Sequence, residues 1–410
     1  MTRPGGKRTS TPGADGFARE GSVHDDPFPF FARLRREDPL HRDGNGLCRL
    51  TRYDDVVAVF RDDRLSANDE RWQQADPIAD TLGGFDSPVA RARRQWFLNL
   101  DDPEHRRLRA GVASSFTPRA SASYRPAIQS ALDHLLERLH GSNEADLLES
   151  VLRPLPAAAV ASAFGFPAAD WEQLSAWIRD VNRNFDRTRT AEEAEQMNRA
   201  VVDLEAYLAE RIAGAADDHA FSRLVREARE RGLSDIELVR TLTIIFVAGQ
   251  HVMVKLFGGC VIRLFTGSEQ ERERLRNDPE QIPDFVDEML RWDNPVQGLK
   301  RIATTDVELP SGVVPRDQVV VVVLPSALRD ETVFPEPDVF DPGRRDPSAI
   351  PFGVGTHFCL GAYIAKLEAL VLIETLLRRF QGLAFAGEPP VLPVSRRGVP
   401  PLNVVWDRLV

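Results

Sequence analysis

Hydrophobic positions fall into helical spacing over most of the chain and into short alternating runs in a few places. TRYDDVVAVFRD (Thr51–Asp62) has apolar residues at Val56, Val57, Val59 and Phe60 and predicts a helix, after a short strand over Leu47–Leu50. Residues 64–100 show no period and are broken by Pro77, Gly83, Gly84 and Pro88. From about Pro103, a residue suited to a helix start, to Arg231 the pattern is mostly helical. Ser234-x-x-Glu237 reads as a capping box ahead of an apolar stretch that runs to about Phe265. Its ~30 residues span roughly 45 Å as an α-helix. Apolar around most of its girth, it predicts a helix buried on several sides. Another helix is predicted over Ile282–Trp292, then strands over Lys300–Thr304, Val307–Leu309 and Gln318–Leu324. A long helix over Leu360–Phe380 and strands at Leu383–Phe385 and Leu402–Trp406 complete the chain. The fold class is mainly α with small β-sheets, an α+β arrangement. Residues 1–22, rich in Gly, Pro, Ser and Thr, read as a disordered tail before one folded domain over 23–410.

A net charge of -10 argues against nucleic acid as a partner, which wants a basic footprint. No run of 18 apolar residues occurs and the N-terminus lacks an apolar leader, so a cytoplasmic protein without a membrane partner is expected. Cys48, Cys260 and Cys359 are far apart and form neither a disulfide framework nor a zinc-binding pattern. Only Cys359 stands in a motif.

Phe352-Gly-Val-Gly-Thr-His-Phe-Cys359-Leu-Gly361 runs from a loop into the last long helix. Gly353 and Gly355 allow tight backbone geometry and close approach to a flat ligand. Cys359 lies at the mouth of the helix, where free N–H groups and the helix dipole are expected to lower its pKa and favour the thiolate. A thiolate is the axial ligand that pushes electron density onto haem iron. Gly361 removes a side chain where a macrocycle would lie against the helix start. A lone cysteine beside a glycine turn is more often buried and inert, but the full F-G-x-G-x-H-x-C-x-G pattern disfavours that reading.

The loop resembles the haem-binding loop of the cytochrome P450 superfamily. The similarity extends over roughly residues 25 to 408 and is greatest to the soluble bacterial members that take electrons from a ferredoxin. The resemblance implies a single-domain triangular fold, with a long central helix over haem b (iron protoporphyrin IX) and Cys359 as the iron ligand. It implies a buried network of Glu288, Arg291 and Arg344. Glu288-x-x-Arg291 shares a helix face at i, i+3, and by itself would read as an exposed pair. Asp102-Pro-Glu-His105-Arg-Arg-Leu-Arg109 also matches the family. By that match His105 and Arg109, at i, i+4, hold a haem propionate, with Arg301 and His357 as further partners. Charge-assisted hydrogen bonds to carboxylates explain these residue types. Phe352, Gly353 and Gly361 complete the implied cofactor contacts. Arg106 and Arg107 are expected to point outward.

The long helix departs from the family pattern. Ala248, Gly249, Gln250, His251 and Val252 form its candidate catalytic segment. Gly249 costs about 1 kcal/mol of helix stability relative to Ala and invites a reason. In the family an Ala-Gly step lies over the haem and precedes an acid and a threonine that deliver protons. Here His251 takes the place of the acid. Val252, which has neither donor nor acceptor, takes that of the threonine. A substrate hydroxyl or amide can complete the relay, or Gln250 or His251 can supply it through water. Alternatively peroxide is the oxidant, or the reaction needs only hydrogen abstraction and radical coupling. The plain alternative makes His251 a satisfied core residue facing other helices.

By family position, Asn68, Phe85, Phe185, Val247, Gln297 and Val399 are candidate pocket contacts. Asn68 and Gln297 can orient an amide or hydroxyl, so a small aromatic or amide-bearing secondary metabolite is the expected substrate. Arg106, Arg107, Lys366, Arg378 and Arg379 lie near the cysteine side and would suit an acidic ferredoxin. The reading is a monomeric haem-thiolate enzyme, served by a ferredoxin and ferredoxin reductase, that performs oxidative coupling or ring formation rather than simple hydroxylation. Its alternatives are a conventional hydroxylase or epoxidase with substrate-assisted O2 activation, a peroxide-driven enzyme, and a non-catalytic haem-thiolate domain that recruits a partner.

Overall fold

The computed structural model describes residues 26–43, 46–68, 70–71, 86–185, 190–216, 219–394 and 398–410, so the tail expected over residues 1–22 lies outside the described residues. The longer helices are α1 (Phe28–Glu37), α2 (Tyr53–Arg61), α3 (Glu104–Val112), α4 (Arg125–Glu137), α5 (Leu155–Ala163) and α6 (Trp171–Asn182). They continue with α7 (Ala191–Ala213), α8 (Ala220–Glu230), α9 (Asp235–Thr266), α10 (Glu269–Asn277), α11 (Ile282–Trp292) and α12 (Ala362–Arg379). The largest sheet places β1 (Leu40–Arg42), β2 (Cys48–Leu50) and β3 (Leu65–Ser66) around two later strands. Its order is β1, β2, Val319–Val322, Leu299–Ala303, β3. Every valine of Val319–Val322 is buried, as suits a central strand covered on both faces. Its antiparallel register sets Arg301 opposite Val320 and delivers that arginine to the interior.

Helix α9 organises the rest. Ser234 accepts from the Glu237 N–H and the Glu237 carboxylate accepts from the Ser234 N–H, so the capping box is formed. Its length and hydropathy are those of a membrane span, yet 67% of its most apolar window is buried inside the protein. Its N-terminal half, to Val247, packs with α3, α6, α7 and α8 in one core. Its C-terminal half, from Met253, packs with α4, α11 and α12 in another. Gly258 and Gly259 let Val399 and Met289 press close, since a Cβ would stand 2.5 Å and 2.9 Å from them. Residues 248–252 belong to neither core. The helix is therefore held firmly at both ends and left uncovered in the middle.

The short strand Glu144–Asp146 interrupts the region read as helical, because pairing with Asn403–Val405 supplies ladder bonds that its own sequence does not announce. Within the stretch read as irregular, the described residues hold β3, a helical turn Pro88–Arg93 and a 3-10 turn Phe97–Asn99.

Candidate active site

The cysteine loop is built on two left-handed glycines, Gly353 (φ 72°) and Gly355 (φ 78°). At Gly355 a Cβ would stand 2.4 Å from the Phe60 carbonyl oxygen, so only glycine fits. The Gly353 N–H donates to Ile350 O at 2.9 Å, and the Cys359 N–H to Phe352 O at 3.1 Å. These bonds place Cys359 three residues before α12. Its sulfur receives the Gly361 N–H and lies in the field of Arg109, both of which lower its pKa, but burial outweighs them and pushes the thiol up. The Gly361 N–H is the one helix-mouth donor the sulfur receives, since α12 begins only at Ala362, and without a metal burial outweighs it. A metal cation at the sulfur would reverse that balance, since coordination deprotonates a thiol outright.

Cys359 is surrounded by protein and still accessible to a water-sized sphere, which makes it the lining of an internal hollow. On α9, Ala248 is accessible while Val247 and Met253 are buried. A Cβ built on Gly249 or on Gly361 meets nothing within 4 Å. Open space therefore adjoins both the cysteine loop and the uncovered middle of α9, and we take them as the two walls of one hollow.

Four cationic or basic side chains gather at its edge. The His105 and His357 rings lie 4.0 Å apart. Burial, then the charges of Arg301, His105 and Arg109, hold His357 down at about 2. Burial lowers Arg301 to about 10 and lowers Arg109. Of the nearby carboxylates only Asp102 reaches the cluster, with Oδ1 3.4 Å from His105 Nδ1. Asp101 accepts from Ser66 Oγ and the Ala67 N–H, and Asp102 from Arg106 at 2.6 Å. His105 Nε2 is buried without a partner. Arg109 and Arg301 have no carboxylate within ion-pair distance among the described residues. Such a cluster fits a buried group that brings its own carboxylates, as haem b does.

Behind the cysteine loop, Arg291 Nε and Nη2 donate to the two Glu288 carboxylate oxygens at 2.8 and 2.7 Å. The side chains are 1% and 4% exposed, so this is no surface pair. Arg291 Nη1 also donates to the carbonyls of Leu328 and Pro337, each at 2.9 Å, and the Asp341 N–H donates to Glu288 Oε1. Arg344 Nε reaches Glu288 at 3.5 Å without hydrogen-bond alignment. The structure brings all three residues together.

Several expected site residues are placed elsewhere. Gln250 is buried and its Nε2 donates to the Arg153 carbonyl, freed where the π-turn Leu148–Leu152 meets Pro154, so its side chain is held on the side of α9 away from the accessible face. Val247 is 0% exposed in the helix core, so its side chain does not line the hollow. Val399 packs on Gly258, about 13 Å along the axis from Gly249. Asn68 Oδ1 accepts the Glu70 N–H in a local turn, and Gln297 Nε2 donates to Asn294 O. Phe185 is 51% exposed. Phe85 lies outside the described residues. Phe352 packs at the margin of the core, with Lys366 Nζ 5.9 Å from its ring centroid. Of the five cations proposed as a docking patch, Lys366 pairs with Asp287, Arg106 with Asp102, Arg107 with Glu237 and Arg379 with Asp133. Only Arg378 lacks a carboxylate partner among the described residues, and the other four stand in intramolecular ion pairs. The sequence reading also passed over Asn182, whose Nδ2 donates to the carbonyls of Ile178 and Val247. An asparagine at a helix end reads as a terminator, which hid it.

The cytochrome P450 family model matches residues 272–400, which include the Glu288 network and the cysteine loop. Cytochrome P450 107B1 of Saccharopolyspora erythraea is 34% identical over 391 residues, 91% of this chain and 93% of the relative. The polyketide biosynthesis cytochrome P450 PksS of Bacillus subtilis is 31% identical, over 89% of this chain and 91% of its own length. The crystal structure of CalO2 superposes with a TM-score of 0.84 at 29% identity, covering 95% of this chain and 98% of that one. The chain belongs to the cytochrome P450 family of haem-thiolate oxidoreductases, whose cofactor is haem b.

Proposed function

We propose that this enzyme oxidises a small natural product, aromatic or amide-bearing, by coupling or ring closure rather than by a hydroxylation that depends on a helix alcohol. The observation that carries this reading is the uncovered middle of α9. Ile245, Ala248, Gly249 and Val252 share one accessible face and none has a polar side-chain atom. Gln250 points the other way. The similarity to a relative named for polyketide biosynthesis supports a secondary-metabolite substrate. Haem b, bound when loaded, supplies the oxidising power.

In this reading Cys359 would ligate the haem iron and Gly361 would leave room for the macrocycle. His105, Arg109, Arg301 and His357 would hold the haem carboxylates, and Glu288, Arg291 and Arg344 would brace the cysteine loop from behind. Phe352 and Gly353 shape that loop. A ferredoxin and its reductase supply electrons. With four of five candidate cations internally paired, salt should weaken that encounter less than it would at a free basic patch.

The test is turnover with a ferredoxin and reductase against turnover with peroxide, in wild type and Val252→Thr. The added hydroxyl should raise product per electron pair several-fold for substrates that bring no hydroxyl of their own. It should leave ring closure unchanged. Equal coupling in both proteins for every substrate would remove the weight placed on Val252.

A further inference from the structure

The apolar wall of the hollow has one polar edge. His251 lies three residues beyond Ala248 and is its neighbour on the helix surface. Its imidazole is accessible and makes no hydrogen bond among the described residues. Asn182 reaches the same spot from the end of α6. Its Nδ2 donates to Ile178 O at 2.9 Å and to Val247 O at 3.0 Å. In an α-helix the carbonyl of residue 247 points at the N–H of residue 251, so the Asn182 amide sits where His251 begins. Both of its N–H hydrogens are committed, which fixes the orientation of the amide. Its Oδ1 is neither bonded nor occluded.

We propose that Asn182 and His251 form a polar subsite that holds a hydroxyl or carboxamide group of the substrate at the edge of the hollow, and so set specificity. This rests on the haem-thiolate reading above. Asn182 Oδ1 offers a fixed acceptor. A neutral His251 offers one ring donor and one ring acceptor. Burial, then the charges of Lys255 and Arg153, hold its pKa at about 4, so it is neutral near pH 7. The pair suits an uncharged group that both donates and accepts. A carboxylate would face the Asn182 oxygen, and an ammonium would meet the field of Lys255 and Arg153. Hydroxyl-bearing ligands should therefore be read strongly, because an analogue that lacks the group leaves both residues unpaired.

The probes are the ortho, meta and para isomers of (imidazol-1-yl)phenol, each with its methyl-for-hydroxyl counterpart. Their imidazole nitrogen displaces the Soret band of the haem-loaded protein, and titration gives each affinity. At least one phenol should bind wild type about tenfold more tightly than its methyl twin, the yield of roughly two net hydrogen bonds. Asn182→Leu and His251→Phe should each cut that preference several-fold without weakening the methyl twin. His251→Gln, which keeps a donor and an acceptor, should retain part of it. Equal affinities for every pair in wild type overturn the subsite, whatever the variants do. So does a preference that survives both substitutions. A wild-type protein with no thiolate-haem spectrum overturns the enzymatic reading itself.

Discussion

The two walls of the hollow are built on opposite terms. On the cysteine side, strong groups are held several times over: Arg291 by a bidentate carboxylate and three carbonyls, and the loop by two left-handed glycines, one of which has no room for a Cβ. On the α9 side, the segment 248–252 belongs to neither core and carries no hydroxyl. One wall fixes what the enzyme can do, because it fixes the sulfur and the cofactor. In the proposed function, the other leaves the substrate to finish the chemistry. Redundancy marks the cofactor side and restraint marks the substrate side.

The largest effects should therefore come from the cysteine side. Cys359→Ala should abolish the thiolate-type Soret displacement of the reduced, carbon-monoxide-treated protein. If it persists, the axial assignment is wrong. Glu288→Gln leaves the Arg291 guanidinium buried beside an uncharged amide. Breaking a buried pair from one side costs about 3–5 kcal/mol. The urea midpoint should fall and haem should be lost on dilution. A variant with wild-type stability would show that the pair is solvated after all.

The same contrast decided what the sequence could reveal. Cys359, Gly355 and the Glu288 network are legible because backbone geometry and buried charge admit few alternatives, and fixed spacing follows. Helix α9 was legible from its capping box and all-round hydrophobicity. The strand Glu144–Asp146 was not, because its pairing partner lies more than 250 residues away in the chain. Pocket residues were read least well. Val247 and Val399 are apolar and lie in the right elements, but which way a side chain points depends on packing that spacing does not encode. Gln250 shows this most clearly: a freed carbonyl at Arg153 turned it away from the site. Asn182 carries its signal only in contacts between two helices.

A smaller effect sharpens the α9 side. Gly249→Ala adds a methyl group that meets nothing within 4 Å, so no clash opposes it in the protein itself. Replacing a mid-helix glycine should stabilise the fold by about 1 kcal/mol. The methyl group enters the hollow, so carbon monoxide should bind the reduced protein more weakly. Greater stability with weaker gas binding would show that the glycine is kept for space. Greater stability with unchanged gas binding would place residue 249 away from the ligand.

The smallest effect concerns the charge state of His251. Its pKa is about 4 in the fold against an ordinary value of 6.5. Between those values the unfolded chain holds a proton there that the folded protein does not. Falling pH therefore favours unfolding, starting near 6.5 and with the full penalty reached below about 4. His251→Gln has no such proton, so its stability relative to wild type should improve as pH drops from 7 to 5. The ring is accessible, and solvent screening keeps the change small. The Glu149–Arg153 ion pair, at 2.7 Å, is present in both proteins and is common to the comparison. Urea midpoints of the two proteins at pH 7 and pH 5 measure the difference. A gap that does not move would mean that the imidazole is hydrated and titrates normally, and the α9 wall would then present a charge at mildly acid pH instead of a neutral donor and acceptor.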